Sequence, residues 1–198
     1  MPVERPRCVR TADRAGKPAM SNTERSHKAV SLSPADVPVE ALPVVEITET
    51  MLKLADSIAT ARAITYAGID GGAVYGDQCS KEAHLTGILG ELAYQQYQRP
   101  DNAEQAIYIY GDPGYDSMHH GDTVDIKATS TRMTLPELLV PEWQDHTADK
   151  YLLAHRSGAR EIRLVGYADR ATVLDREPER HPGDSLNYVV PPAELELL

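Results

Sequence analysis

Apolar residues recur at three- and four-residue spacing in two segments of the chain, which predicts two amphipathic helices. The first helix begins just after Ile47, has Thr48 as its N-cap and continues to about Ala61. The second covers residues 80–98 and ends before Pro100, a residue that cannot continue a helix. Both helices therefore lie in the first half of the chain.

Runs rich in β-branched and aromatic residues follow the second helix and predict strands. The candidate strands are residues 106–110, 123–129, 151–155 and 161–168. Helices followed by several strands and a mixed tail indicate an α/β (α+β) fold, with a central mixed β-sheet flanked by helices.

The first 45 residues show no periodic apolar pattern and are rich in proline, serine, alanine and charged residues. We therefore expect residues 1–45 to form a flexible tail. The tail is mildly basic, since residues 1–30 contain seven lysines and arginines against three acidic residues. Residues 46–198 then suit one domain of ordinary size.

Composition narrows the class of protein. The formal net charge of −10 argues against a broadly basic nucleic-acid-binding surface, although a few residues decide the chemistry of a site. No apolar run reaches the roughly 18 residues of a membrane-spanning helix, and no apolar stretch follows the basic start as in a signal peptide. We expect a soluble, cytoplasmic protein without a membrane partner. The two cysteines cannot form a disulfide framework or a four-cysteine zinc site.

The strand predicted at residues 123–129 carries the most informative polar residues. Side chains alternate across a strand, so Asp125 and Lys127 point to one face, whereas Val124 and Ile126 point to the other. A further acid, Asp116, lies in a glycine-flanked turn just before this strand. Without a functional role, Asp125 and Lys127 would be an exposed charge pair, and Asp116 would shape a turn.

A third carboxylate is available on the second helix. Gly87 and Gly90 precede Glu91 and leave room for close approach of this helix to a sheet. We expect the Glu91 carboxylate to reach the sheet face that carries Asp125. Carboxylates can hold a hard divalent cation, and a nearby ammonium can stabilise charge at a phosphate.

This ordered set resembles the PD-(D/E)XK nuclease superfamily, which has the restriction-endonuclease-like fold, and is similar to its small phage and archaeal members. The matching residues are Glu91 in GILGELA, Asp116 in GYD, and Asp125-Ile126-Lys127 as the D-x-K element, within roughly residues 80–170. The resemblance implies that Asp116, Asp125 and the Ile126 carbonyl bind Mg²⁺ or Mn²⁺. Lys127 would activate or position the attacking water, and Glu91 would complete the site or help a second ion.

The function implied by this resemblance is metal-dependent hydrolysis of phosphodiester bonds, with DNA as the favoured substrate and an endonuclease as the favoured type. A homodimer suits such an enzyme, because a duplex has two strands to cut. Residues near the D-x-K element offer hydroxyl, guanidinium and imidazole groups for contacts with the substrate. These candidate residues are Thr129, Ser130, Arg132, His119 and His120.

Two alternatives stay open. The first is a non-catalytic module that binds nucleic acid or protein on the same fold. The second is a metalloenzyme with histidine and carboxylate ligands, although no H-x-H or H-E-x-x-H spacing occurs. Trp143, which follows Pro141 closely, is expected to pack under a loop.

Overall fold

A computed structural model describes residues 32–65, 80–99 and 114–198. The two long helices are α1, Glu49–Thr65, and α2, Ser80–Gln98. The Thr48 hydroxyl accepts a hydrogen bond of 3.2 Å from the backbone N–H of Met51, which satisfies one of the donors that a helix start leaves unpaired. Both predicted helices and the predicted N-cap are therefore confirmed. A third, short helix, α3, covers Arg170–Leu174.

The described residues form eight strands in two sheets. Three of the predicted strands are confirmed as β3, β5 and β6, whereas the candidate at residues 106–110 lies outside the described residues. The strands are β1 (Val44–Glu46), β2 (Ser117–His119), β3 (Asp122–Thr129), β4 (Leu138–Pro141), β5 (Lys150–Gly158), β6 (Glu161–Asp169), β7 (Glu179–Arg180) and β8 (Leu186–Val190).

The larger sheet is mixed, as predicted. Its five strands lie in the order β1-β6-β5-β3-β2, and β3 runs parallel to β5 while the other neighbours are antiparallel. The smaller sheet has the order β4-β8-β7. The protein is thus an α+β fold with a central mixed sheet.

Helices cover one face of the central sheet. α2 packs on the face that carries Ile126, Leu152 and Ala154, and α1 packs against α2. The helix comes close to the sheet at Gly90, whose missing side chain leaves space for Ala128 of β3.

The opposite face is covered mainly by β4 and β8 of the smaller sheet, together with α3. Tyr151 and Leu153 of β5 point to this side and belong to a second core cluster with Leu138, Val140 and Val190. The flanking layers therefore differ: two long helices on one face, and mostly strands on the other.

Residues 34–45, which the sequence pattern places in the tail, have regular structure and contacts with the sheet. Two short 3₁₀ helices lead into β1, and Leu42 is 3% exposed. The backbone N–H of Leu164 donates to the carbonyl of Pro43 at 2.9 Å. This segment is therefore part of the packed fold, while residues 1–31 lie outside the described residues. None of the described helices combines the length and apolar character needed to cross a lipid bilayer.

Candidate functional site

Asp125 and Lys127 lie side by side on β3. The Lys127 Nζ atom is 2.9 Å from the Asp125 Oδ2 atom, and the two side chains are 23% and 13% exposed respectively. In the register with β5, Asp125 pairs with Tyr151 and Lys127 pairs with Leu153, so both side chains lie on the face opposite to α2. The prediction that both side chains share one face is confirmed, and they form a direct ion pair that is largely shielded from solvent.

Gln144 connects the two members of this pair, and the sequence did not predict its involvement. Its Oε1 atom accepts a hydrogen bond of 2.7 Å from Lys127 Nζ. Its Nε2 atom donates a hydrogen bond of 2.9 Å to Asp125 Oδ2. The three polar groups therefore form a closed ring of contacts in which charge and amide dipole are matched.

A buried tyrosine, Tyr151, interacts with both Asp125 and Gln144 of this ring of contacts. Tyr151 is 0% exposed, and its hydroxyl lies 3.2 Å from His146 Nδ1. Burial, with a smaller contribution from the negative charge of Asp125, raises the pKa of Tyr151 to about 12, although a hydrogen bond with Gln144 opposes the shift. Tyr151 is therefore a neutral hydroxyl at physiological pH, and acts here as a hydrogen-bonding group.

Asp116 lies next to Asp125 across the β2–β3 hairpin. Its backbone N–H donates to the Val124 carbonyl at 2.9 Å, and its Oδ2 atom accepts a hydrogen bond of 2.6 Å from the Ile126 N–H. Ser117 pairs in register with Val124, so one further step along the antiparallel ladder brings Asp116 beside Asp125. The structure thus brings together two of the three predicted carboxylates.

Glu91 is positioned differently from the sequence-based expectation. It lies on α2, which packs on the face of β3 that carries Ile126, whereas Asp125 points to the other face. The Glu91 Oε1 atom is 3.3 Å from Arg62 Nη1 of α1. The structure therefore places Glu91 in an ion pair between the two helices, and the expected approach to the Asp125 face does not match this packing.

His119 also lies on the α2 side of the sheet. It pairs in register with Asp122, and its Nδ1 atom is 2.8 Å from Gln98 Nε2 of α2. Burial, with smaller contributions from His120 and Lys150, holds the pKa of His119 below its usual value. His120 is an exposed turn residue with a φ of 51°. His119 is therefore separated by the sheet from the face that carries Asp125.

The remaining predicted substrate contacts follow the end of β3. Thr129 Oγ1 accepts a hydrogen bond of 3.4 Å from the Thr131 N–H, and His155 Nε2 lies 2.9 Å from the Thr131 carbonyl. Ser130 is partly buried, and Arg132 is exposed. These residues continue the strand that carries Lys127, and their role in substrate binding stays a prediction.

Zn²⁺ and Mg²⁺ differ in the donor atoms that they require from a protein. Within residues 32–65, 80–99 and 114–198, no three His, Cys, Asp or Glu side chains come close enough to hold a metal ion among them. The described residues thus offer no histidine–carboxylate site of the kind zinc prefers. Mg²⁺ differs, because it usually binds one or two carboxylates and keeps waters and substrate phosphates as further ligands. Asp116 and Asp125, which are neighbours across the β2–β3 hairpin, supply two carboxylates of this kind.

Comparison of the chain with protein-family models, curated proteins and solved structures gave no match.

Proposed function

We propose that the protein is a metal-dependent nuclease that hydrolyses phosphodiester bonds, with DNA as its substrate, on a restriction-endonuclease-like core. The observation that supports this most strongly is the arrangement on the β2–β3 hairpin. Asp125 and Lys127 are in direct contact, and Asp116 is hydrogen-bonded to the peptide N–H of Ile126 between them. Two carboxylates beside one ammonium match the chemical needs of phosphodiester hydrolysis.

Each group has a specific role in this proposal. Asp116, Asp125 and the Ile126 carbonyl would hold a Mg²⁺ or Mn²⁺ ion, which supplies polarisation of the phosphate and a more acidic bound water. Lys127 would orient the attacking water and stabilise the negative charge that builds on the phosphate oxygens. Its ammonium lies 2.9 Å from the Asp125 carboxylate, so the two groups meet at one point of the hairpin.

Gln144 would act as a positioning residue. Its amide contacts both Lys127 Nζ and Asp125 Oδ2, and therefore restricts the rotamers of both side chains. Outer hydrogen-bonding partners of this kind commonly contribute 10- to 100-fold, as an order of magnitude, to metal affinity or activity. We expect Gln144→Leu to reduce cleavage by about that factor.

A cleavage assay with Mg²⁺ or Mn²⁺ on end-labelled DNA of several shapes tests the proposal. Lys127→Ala and Asp125→Asn should each lower the cleavage rate by about 100-fold or more, the usual effect of removing an electrostatic catalytic group. Lys81→Ala is the matched control, since Lys81 forms an exposed ion pair with Asp56 at 2.7 Å on the helical side. Thermal unfolding of each variant separates loss of activity from loss of fold. Equal cleavage by wild type and Lys127→Ala would falsify the proposal.

A second candidate is a nucleic-acid-binding module without catalysis. The closed ring of contacts among Asp125, Lys127 and Gln144 favours the absence of catalysis, because a satisfied polar network can also serve only to stabilise a fold. Chelation distinguishes the two candidates. EDTA should abolish product formation by a nuclease, whereas a binding module would retain DNA in a filter-binding assay and form no product with either metal.

A further inference from the structure

Trp143 is held at the surface beside the candidate site. The sequence-based expectation that it packs under a loop is wrong, since its side chain is 69% exposed. It directly precedes Gln144, whose side chain contacts both Lys127 and Asp125. A largely exposed indole therefore lies one residue along the chain from Gln144, the residue that connects Asp125 and Lys127.

The backbone that carries the indole is fixed by hydrogen bonds. The Glu142 N–H donates to the Leu186 carbonyl at 3.1 Å, and the Gln144 N–H donates to the Pro141 carbonyl at 3.4 Å. Bonds within the loop and to β8 thus anchor the residues on both sides of Trp143. An exposed aromatic ring on an ordered backbone loses little conformational entropy when it binds a ligand.

The charges of the loop restrict what the indole can bind. Glu142 and Asp145 are both exposed and acidic, so the loop repels phosphate groups rather than attracting them. The indole itself is flat and apolar apart from its single N–H donor. A flat, neutral group is therefore the preferred partner, and in a nucleic acid that group is the face of a base.

We propose that Trp143 is a stacking platform for an unpaired nucleobase next to the Asp125–Lys127 pair. This inference rests on the proposed nuclease function and specifies its substrate class. A base inside a duplex has both faces covered by its neighbours, so stacking on Trp143 requires a single strand, a strand end or a flipped base. The phosphate next to that base would then lie towards Lys127, away from the acidic residues of the loop.

Trp143 is the one tryptophan in the 198-residue chain, so its fluorescence reports on this position alone. The full-length protein is titrated in EDTA, which prevents cleavage, with a single-stranded DNA oligonucleotide, a blunt duplex of equal length and an abasic strand of equal charge. We expect the single strand to quench Trp143 and the abasic strand to leave its emission unchanged. A single-stranded RNA arm shows whether the sugar matters to the same base contact.

Variants connect the fluorescence change to affinity. Fluorescence anisotropy of a labelled single strand should show binding weakened by roughly 5- to 150-fold in Trp143→Ala, the range measured for base–aromatic stacking. Trp143→Phe should retain most of the affinity, because a phenyl ring also stacks. The control is Tyr97→Ala, which removes a 41% exposed ring on α2 and should bind as the wild type does. Since the Trp143 side chain is mostly exposed, wild type, Trp143→Ala and Trp143→Phe should melt at similar temperatures.

The outcomes separate the two proposals. Binding of single strands without quenching, with Trp143→Ala as tight as wild type, would overturn the stacking inference and leave the nuclease proposal standing. Equal quenching by the abasic strand would overturn it as well, because no base is present to stack. Failure of every nucleic acid to bind, together with absence of cleavage in Mg²⁺ and Mn²⁺, would overturn the nuclease proposal itself.

Discussion

The packing of α2 on the central sheet can be tested at Gly90. A Cβ atom added there would lie 2.8 Å from Ala128 Cβ and 3.3 Å from Ala154 Cβ. Carbon atoms in contact are normally about 3.5–4.0 Å apart, so Gly90→Ala must push α2 away from the sheet by roughly 1 Å at this point. Both neighbours are alanines, whose side chains have no rotamer that could move aside.

Two opposing effects decide the change in stability. Overpacking of a core contact costs about 1–3 kcal/mol, whereas replacing glycine by alanine inside a helix gains up to about 1 kcal/mol. Gly87 provides the matched control on the same helix, because nothing lies within 4 Å of a Cβ built there. Gly87→Ala therefore receives only the helical gain, and the difference between the two variants isolates the overpacking cost of about 1–3 kcal/mol.

Urea denaturation of wild type, Gly87→Ala and Gly90→Ala measures this difference directly. We expect Gly87→Ala to be more stable than wild type and Gly90→Ala to be the least stable or close to wild type. A difference of 1 kcal/mol corresponds to about 2–4 °C in melting temperature for a domain of this size. If Gly90→Ala gained as much stability as Gly87→Ala, α2 could not lie against Ala128 as described.

Three further predictions concern titratable groups. Hydrogen bonds from the Thr123 N–H and hydroxyl lower the pKa of Asp149. The ionised carboxylate therefore stabilises the fold above its unfolded-state pKa of about 4, and this stabilisation is lost as the pH falls through the folded-state pKa. The difference in urea midpoint between wild type and Asp149→Asn should be larger at neutral pH than in acid. Burial lowers the pKa of His119. The unfolded chain therefore binds this proton more readily, and the free energy of unfolding should rise with pH around the unfolded-state pKa of about 6.5. An NMR titration should place the pKa in the folded protein below that in the unfolded chain, and an equal or higher pKa would contradict the burial of the imidazole. Tyr151→Phe should lower the free energy of unfolding by about 1 kcal/mol, because it removes the hydroxyl bonded to His146 in a fully buried position; unchanged stability in thermal unfolding would argue against that bond.

The local elements of the fold follow from the sequence because their signals are local. Helical spacing and a stop at Pro100 predict α2 at the bounds that the structure has, and alternation predicts the faces of β3 with Asp125 and Lys127 together. The sequence pattern places Asp116 only in a turn just before β3. Its closeness to Asp125 arises because β2, a strand that the pattern does not predict, pairs antiparallel with β3.

Long-range features are not encoded in such spacing. β1 is only three residues long and pairs Val44 with Arg163, a partner that no local pattern selects. The position of α2 on one face of β3 separates Glu91 from Asp125, and that choice depends on packing of the whole core. Gln144 has no titratable group and lies in an irregular loop. Its contact with Lys127 depends on the path of that loop, which no local sequence pattern predicts.

The short strand β1 has a consequence for association between copies of the chain. Without β1, the outer edge of β6 would present its N–H and C=O groups to any other strand, which is the usual origin of edge-to-edge aggregation. Residues 43–47 cover this edge by pairing with β6 and by two flanking bonds, Leu164 N–H to the Pro43 carbonyl and Ile47 N–H to the Arg160 carbonyl. The outer edge is then β1, which is only three residues long. A chain shortened to begin after residue 47 would expose an open template, and size-exclusion chromatography should then show self-association that increases with protein concentration.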